Sequence, residues 1–317
     1  MKKTLTTMIA TAMMTACLVL FVGGSAYAAD YPNRPVKFIV PWPPGDLEDI
    51  LTRLIAEEMT KTTGKPPTVV NKPGGGGLIG ATDVANQPPN GLTIGSFVAD
   101  ILTTHLHTGN APYTAETFEP VGIFLDYPFV IAARADAPYN TLKELAAYSQ
   151  AHKVSLGHFG YQALPTAITF KTADQEGIRF SSDAPFDAND CSTLATGDAD
   201  VINTTTQQIL ACLKSGEVKL LAAMTHERIA IAPDVPTLKE QTGITQTTWN
   251  GLFVRKGTSD KIKQRIAEIA QKALQTQQAS DLSDNTGAGI YWLDGEAAEQ
   301  QIASDYAQSK ALLQFMK

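Results

Sequence analysis

The chain has 317 residues, of which 44% are hydrophobic and 18% charged, and its formal charge is −7. That length suffices for one large core or two modest domains. The acidic balance, without an obvious run of Lys or Arg, argues against nucleic acid as a partner, because phosphate binding needs clustered cations.

Residues 1–29 begin with Lys2 and Lys3, run through an apolar stretch from about Met8 to Val22, and end on Ala26-Tyr27-Ala28, a small-x-small cleavage pattern. This predicts a secretory signal peptide cleaved near residues 28–29. Cys17 follows Met14-Thr15-Ala16, a poor lipobox. Removal of residues 1–29 leaves 23 Lys+Arg against 32 Asp+Glu, a charge of −9. No later apolar segment reaches the roughly 18 residues of a spanning helix, so the mature chain is expected to be soluble, exported and acidic.

Next, "VKFIVPWPPGD" (36–46) reads as a buried-type strand broken by prolines and a glycine. Leu47, Ile50, Leu51, Leu54, Ile55 and Met59 then recur at helical spacing, which predicts an amphipathic helix. "PTVV" is a second short strand, and it enters the glycine tract of "TVVNKPGGGGLIGATDVA" (68–85), where a helix starts near Ala81. Gly75, Gly77 and Gly80 fit G-x-G-x-x-G, a spacing that can hold a dinucleotide pyrophosphate. That fingerprint normally follows the first strand of its fold, and this tract follows the second. A tight turn bringing helix and strand close is therefore preferred over direct ligand contact, and no cofactor is expected. "LTIGSFV" (92–98) is a third strand, followed by "DILTTHLH". The order β-loop-α-β-loop-α-β belongs to a parallel sheet with helices on its faces.

A similar series recurs. "PFVIAAR" is a strand, "TLKELAAYSQAH" a helix, "VSLGHFG" a strand running into a loop, and "ALPTAITFKTADQ" a helix. "IRFSS" and "ADVINT" are strands, "TQQILACLKSG" a helix and "VKLLAAM" a strand. "TWNGLFVRKGT" then leads into C-terminal helices, with "DKIKQRIAEIAQKALQ" the clearest. Two α/β units, the C-terminal helices returning to the first, account for this order, and a ligand would bind in the cleft between them. Cys191 and Cys212 can form a disulfide closing a loop of about twenty residues, worth roughly 3 kcal/mol, or remain reduced and buried. Without nearby histidines they make a poor zinc site.

Four segments in this order and spacing resemble the substrate-binding receptors of tripartite tricarboxylate transporters, also called Bug-type receptors. They are "YPNRPVKFIVPWPPG", "VVNKPGGGGLIGATDVANQPPNGLTIG", "IAPDVPTLKEQTG" and "TTWNGLFVRKGT". The resemblance covers essentially all of the mature chain. It implies a two-lobed, type II-like periplasmic binding protein, each lobe a mixed or parallel sheet flanked by helices. Residues 30–128 and 250–317 would form the first domain and 129–249 the second. It also implies a cofactor-free monomer that closes on a small solute in the cleft and delivers it to membrane-embedded transporter subunits.

By the same resemblance, the first ligand loop is "PWPPGDLED" (41–49), which supplies Trp42, Pro43, Gly45, Asp46, Glu48 and Asp49. Asp49 keeps the family aspartate, whereas Asp46, Leu47 and Glu48 depart from a glycine-rich pattern. Two readings stand. Asp46 can be the N-cap of the following helix, with Asp49 in a capping-box-like role. Alternatively an acid faces the cleft, and the receptor prefers a cationic, zwitterionic or hydroxyl-rich solute over a simple dicarboxylate. The second ligand loop is "GHFGYQALP" (157–165), where His158, Phe159, Gly160, Tyr161 and Gln162 either meet the ligand or fill the loop's underside. Asp100 lies after the third strand, and Phe186 and Asp187 open "FDAND" in place of a lysine-containing segment. Asn203, Thr204 and Thr205 end a strand at cleft height, and Trp42 and Trp249 either wall the cleft or pack at the hinge.

Two other function classes fit parts of the sequence. An exported hydrolase would need a nucleophile and a base, but no G-x-S-x-G or H-E-x-x-H is present. A ligand sensor docking to a membrane kinase would share the fold and differ only in partner. His105 and His107 form an H-x-H pair, which would share a face on a strand but not on a helix; no metal is expected there.

Overall fold

The computed structural model describes residues 31–186 and 188–315. The expected signal peptide, with Cys17, lies outside the described residues. All the elements below belong to the unit that begins at Pro35.

The first lobe starts with β1 (Lys37–Val40), α1 (Leu47–Thr63), β2 (Thr68–Asn71), α2 (Leu78–Ala85) and β3 (Thr93–Val98). Strands β2 and β3 flank β1, both parallel to it, as the β-α-β-α-β order requires. Helix α1 buries Leu47, Leu51, Ile55 and Met59, a stripe at i and i+4, and Gly64 ends it in the left-handed conformation. After the short α3 (Thr104–Thr108) comes β4 (Phe118–Asp126), a long strand the sequence reading did not identify. Pro120 and Gly122 interrupt its apolar pattern.

The second lobe contains β5 (Phe129–Arg134), α4 (Leu142–Ser149), β6 (Ser155–His158), α5 (Leu164–Glu176), β7 (Ser182–Pro185), α6 (Cys191–Ala195), β8 (Val201–Thr205), α7 (Leu210–Lys214), β9 (Val218–Ala223) and α8 (Leu238–Thr242). Its sheet has the order β7-β6-β8-β5-β9. Strands β6, β7 and β8 run parallel, and β5 is antiparallel to both β8 and β9. The strand expected at "IRFSS" lies a few residues later, at Ser182–Pro185, where it pairs with β6. Cys191 and Cys212 are joined as a disulfide, with Cα atoms 5.8 Å apart, tying α6 to α7 over the core of this lobe.

The chain then returns. β10 (Trp249–Arg255) inserts antiparallel between β3 and β4, and β11 (Gly289–Asp294) adds at the edge beside β4. The first sheet therefore has the order β11-β4-β10-β3-β1-β2. Helices α9 (Asp260–Leu274), α10 (Gln277–Thr286) and α11 (Gly295–Ser309) complete the lobe. Helix α9 buries Ile266, Ile269, Ala270 and Ala273, and an ion pair at 2.6 Å between Lys272 and Glu58 links it to α1. The chain passes between sheets twice, from β4 to β5 through Tyr127 and from β9 to β10 through the segment ending at Thr248. Both sheets are mixed and flanked by helices.

The glycine tract is built for close approach. Gly74, Gly75, Gly76 and Gly77 all have positive φ, which strains any other residue. A Cβ on Gly80 would lie 3.0–3.1 Å from Pro41, so its absence lets α2 sit against the end of β1.

Candidate functional site

The loop after β1 is positioned by side chains from α1 and β2. Pro43 and Pro44 carry no N–H and cannot extend the sheet, and Gly45, at φ 97°, turns the chain into α1. Asn71 Nδ2 donates to the Trp42 carbonyl at 3.0 Å and to Asp49 Oδ1 at 2.9 Å. Asp49 also accepts from the Gly45 amide at 2.9 Å and from Arg53 at 2.9 and 3.0 Å. Burial alone would raise the Asp49 pKa; the bonds from Arg53, Gly45 and Asn71 outweigh it and hold the group below the usual carboxylate value. Asp49 is thus the anchor of the loop. The expected capping arrangement is corrected in one respect: Asp46 is the N-cap residue, but its side chain makes no capping bond. Asp49 reaches back to Gly45 instead, and the Asp46 carboxyl turns towards Gln208.

That turn leaves a cavity of about 80 Å³ between the lobes. Trp42, Asp46, Glu48 and Asp100 line it from the first lobe, and Phe129, Phe159, Thr205, Gln207 and Gln208 from the second, with Tyr127 at the crossover. Glu48 is 2% exposed, and the Tyr127 hydroxyl donates to its Oε2 at 2.8 Å. Burial, then the neighbouring Asp46 charge, pushes the Glu48 pKa to about 8. Asp100 is 3% exposed, and the Leu164 amide, at the start of α5, donates to its Oδ1 at 3.3 Å. Burial lifts the Asp100 pKa to about 7, and burial also raises that of Asp46. Phe159 stands edge-on to Phe129 at 5.8 Å, and Tyr127 is tilted against Phe129 at 5.7 Å, so three rings form one wall. Among the described residues lining the cavity there is no Lys, Arg or His.

Three further contacts cross the cleft or close its mouth. Thr104 Oγ1 donates to the Gln162 carbonyl at 3.1 Å, Gln207 Nε2 to the Gly45 carbonyl at 3.3 Å, and the Thr206 hydroxyl to the Thr286 carbonyl. A buried polar ladder braces the first lobe beneath: Thr52 Oγ1 donates to Ser96 Oγ at 2.9 Å, and Asn250 Nδ2 donates to the same oxygen at 2.8 Å.

Of the residues expected at the site, Trp42, Asp46, Glu48, Asp100, Phe159 and Thr205 come together on the cavity wall. Gly160, Tyr161 and Gln162 line an adjoining hollow of about 280 Å³ with Gly76 and His105. The others lie elsewhere. Pro43 and Gly45 are exposed at the loop tip. His158 is fully buried, with Nε2 3.2 Å from Asp183 and Nδ1 accepting the Gly160 amide at 3.0 Å, so it shapes the second loop from beneath. Asn203 is buried against Thr166 and Thr169, and Thr204 against Asn189. Trp249 is packed at the start of β10, its Nε1 donating to Asp305 at 2.7 Å. Phe186 is half-buried and its amide bonds the His158 carbonyl, away from the cavity; Asp187 lies outside the described residues. His105 and His107 lie on α3 and diverge, Nε2 of the first on the Gly76 carbonyl and that of the second on the Tyr306 carbonyl. Among the described residues no group of three or more His, Cys, Asp or Glu side chains is placed to hold a metal.

Sequence reasoning missed Tyr127, Phe129, Gln207 and Gln208. The signal available was weak: "DYPF" crosses between lobes and "TTTQQ" follows a strand end, the places where an α/β cleft draws its lining.

Two mixed sheets, joined by crossovers and enclosing a cavity lined from both, define a periplasmic-binding-protein fold of the solute-receptor kind. Residues 51–317 match the family described as tripartite tricarboxylate transporter family receptor, and the chain belongs to that family. A TctC solute-binding protein from Polaromonas, solved without ligand, is 32% identical, with a TM-score of 0.74, covering 90% of this chain and 99% of its own. The periplasmic binding protein BugD is 29% identical, with a TM-score of 0.78 over 90% of this chain and 98% of its own. MatC from Rhodopseudomonas palustris, solved with bound malate, is 25% identical, with a TM-score of 0.76 over 89% and 99% of the two chains. These relatives are solute-binding proteins, and the family assignment carries a solute-binding role. No helix among the described residues is long and apolar enough to cross a membrane.

Proposed function

We propose that this protein is an exported periplasmic receptor that captures a small organic solute between its lobes and hands it to the membrane subunits of a tripartite transporter. Residues 30–128 with 250–317 would form one moving body and 129–249 the other. The observation that carries this reading is the cavity itself, where acids, amides and rings from both lobes converge on one small space.

The same lining supports a departure from simple dicarboxylate capture. Two like charges about 5 Å apart repel by roughly 3 kcal/mol at an effective dielectric near 20. A helix N-terminus offers an anion only about 0.3–1 kcal/mol. With Asp46, Glu48 and Asp100 on the wall and no cation among the described lining residues, an entering dianion gains no counter-charge there and is repelled by each of these acids that ionises.

The test combines binding with transport. Purified mature protein should bind a solute tightly without converting it, and deletion of the gene should abolish uptake of that solute. Turnover by the purified protein would contradict the reading. So would a deletion strain that keeps uptake and loses only the transcriptional response to the solute.

A further inference from the structure

The cavity is walled by acids that have no protein cation beside them among the described lining residues. Glu48 and Asp100 both line it and both are almost fully buried. Each has one carboxyl oxygen engaged, Glu48 Oε2 by Tyr127 and Asp100 Oδ1 by the Leu164 amide. Buried charges are normally paired, and no Lys, Arg or His stands among the described residues lining the cavity, so when these acids ionise their counter-charge has to come from whatever occupies it.

A second observation concerns the amide at the start of α5. An exposed amide at a helix N-terminus is a ready seat for an anion. Here the protein's own Asp100 carboxyl takes the Leu164 amide. An anionic solute would have to displace a buried acid to use it.

The remaining wall is aromatic. Trp42, Phe129 and Phe159 line the same cavity as the two acids. Aromatic rings attract alkylammonium groups, through the ring quadrupole and through contact with the methyl or methylene groups around nitrogen. Rings beside carboxylates are therefore suited to a charged nitrogen that carries carbon. A bare metal ion would gain nothing from them, and a neutral polyol would gain nothing from the acids' charge when they ionise.

We propose that the solute, granted the receptor reading above, is a small organic ammonium compound, its nitrogen held between Glu48 and Asp100 and its alkyl groups against the rings of Trp42, Phe129 and Phe159.

The test is a binding panel on the mature protein at pH 8, by thermal shift and titration calorimetry. The probes are choline, ethanolamine and 1,4-diaminobutane as ammonium compounds, 3,3-dimethylbutan-1-ol as the neutral isostere of choline, malate and succinate as dianions, and glucose as a polyol. The expected result is a rise of several degrees in melting temperature with an ammonium compound at roughly a hundredfold excess over Kd, and none with the neutral isostere. The near-isosteric variants Glu48→Gln and Asp100→Asn should each weaken that binding at least about tenfold while the ligand-free proteins still unfold cooperatively. Binding of only dianions or only neutral compounds would overturn the proposal and leave the receptor reading standing. Binding of an ammonium compound with unchanged affinity in both variants would also overturn it. A panel in which no compound of any class binds would count against both readings.

Discussion

Glu48 is the residue on which most of the site's chemistry turns. It sits in the first turn of α1, where an acid usually does no more than favour the helix dipole, yet burial and the Asp46 charge raise its pKa to about 8. Between the ordinary glutamate value of 4.5 and about 8, the folded protein holds a proton there that the unfolded chain has lost. Stability must therefore fall as pH rises through that window, by up to about 1.4 kcal/mol per pH unit for one such group. Asp100, raised to about 7, acts in the same direction at slightly lower pH. We expect the melting temperature of the ligand-free protein to decline from pH 5 to pH 8, and the decline to be shallower in Glu48→Gln, which can keep its bond to Tyr127. Parallel curves for the two proteins would show that Glu48 is not the group responsible. For a permanently charged quaternary ammonium the sign of the binding effect follows: its affinity should rise from pH 6 to pH 9 as the acids ionise, and proton release on binding should be detectable by calorimetry in buffers of different ionisation enthalpy. At this scale the sequence was only partly legible. It marked Asp46, Glu48 and Asp49 as three acids at a helix start, but not which way each would face. Arg53 and Asn71 decide that by drawing Asp49 away from the cavity, and Asn71 is 22 residues from the acid it positions.

The loop from Pro41 to Asp46 and the helix that follows form the element that presents the acids. Two donor bonds from Asn71 hold it, one to the Trp42 carbonyl and one to Asp49. Asn71→Ala should cost about 1–3 kcal/mol of stability and weaken solute binding, since the loop then fixes neither Trp42 nor Glu48. Wild-type affinity in a destabilised Asn71→Ala protein would show that the loop is held by other means. The disulfide between Cys191 and Cys212 belongs to the second lobe, and neither cysteine is among the described residues lining the cavity. Closing a loop of 21 residues, it contributes about 3 kcal/mol on the loop-entropy account. Replacing both cysteines by serine should lower the melting temperature by about 5–10 °C with solute affinity unchanged. A loss of affinity would mean that the strap shapes the cleft. Helical elements with a clear apolar stripe were readable, α1 and α9 above all. Strands β4 and β11 were not, because β4 carries Pro120 and Gly122, and the residues of β11 alternate between half-buried and exposed at a sheet edge.

For the whole molecule, the two-sheet plan followed from the order of strands and helices together with the returning segment at Trp249. What sequence order could not supply was the meeting of distant segments across the cleft, where Asp100 receives its bond from Leu164 and Gly45 receives one from Gln207. The glycine tract, which has the spacing of a nucleotide loop, brings α2 against β1 and accepts a bond from His105 through Gly76. The polar ladder of Thr52, Ser96 and Asn250, and the anchoring of Trp249 by Asp305, brace the first lobe from within.

The most direct measurement is a crystal structure of the mature protein with whichever compound of the panel stabilises it most. The solute is expected in the cavity between Trp42, Tyr127 and Phe159, a protonated amine with its nitrogen about 2.7–3.0 Å from carboxylate oxygens of Glu48 and Asp100, or a quaternary ammonium with its N-methyl groups against those oxygens and the rings. A solute bound in the adjoining hollow, or one whose carboxylate faces the amides of Gly160 to Leu164 with Asp100 displaced, would contradict this.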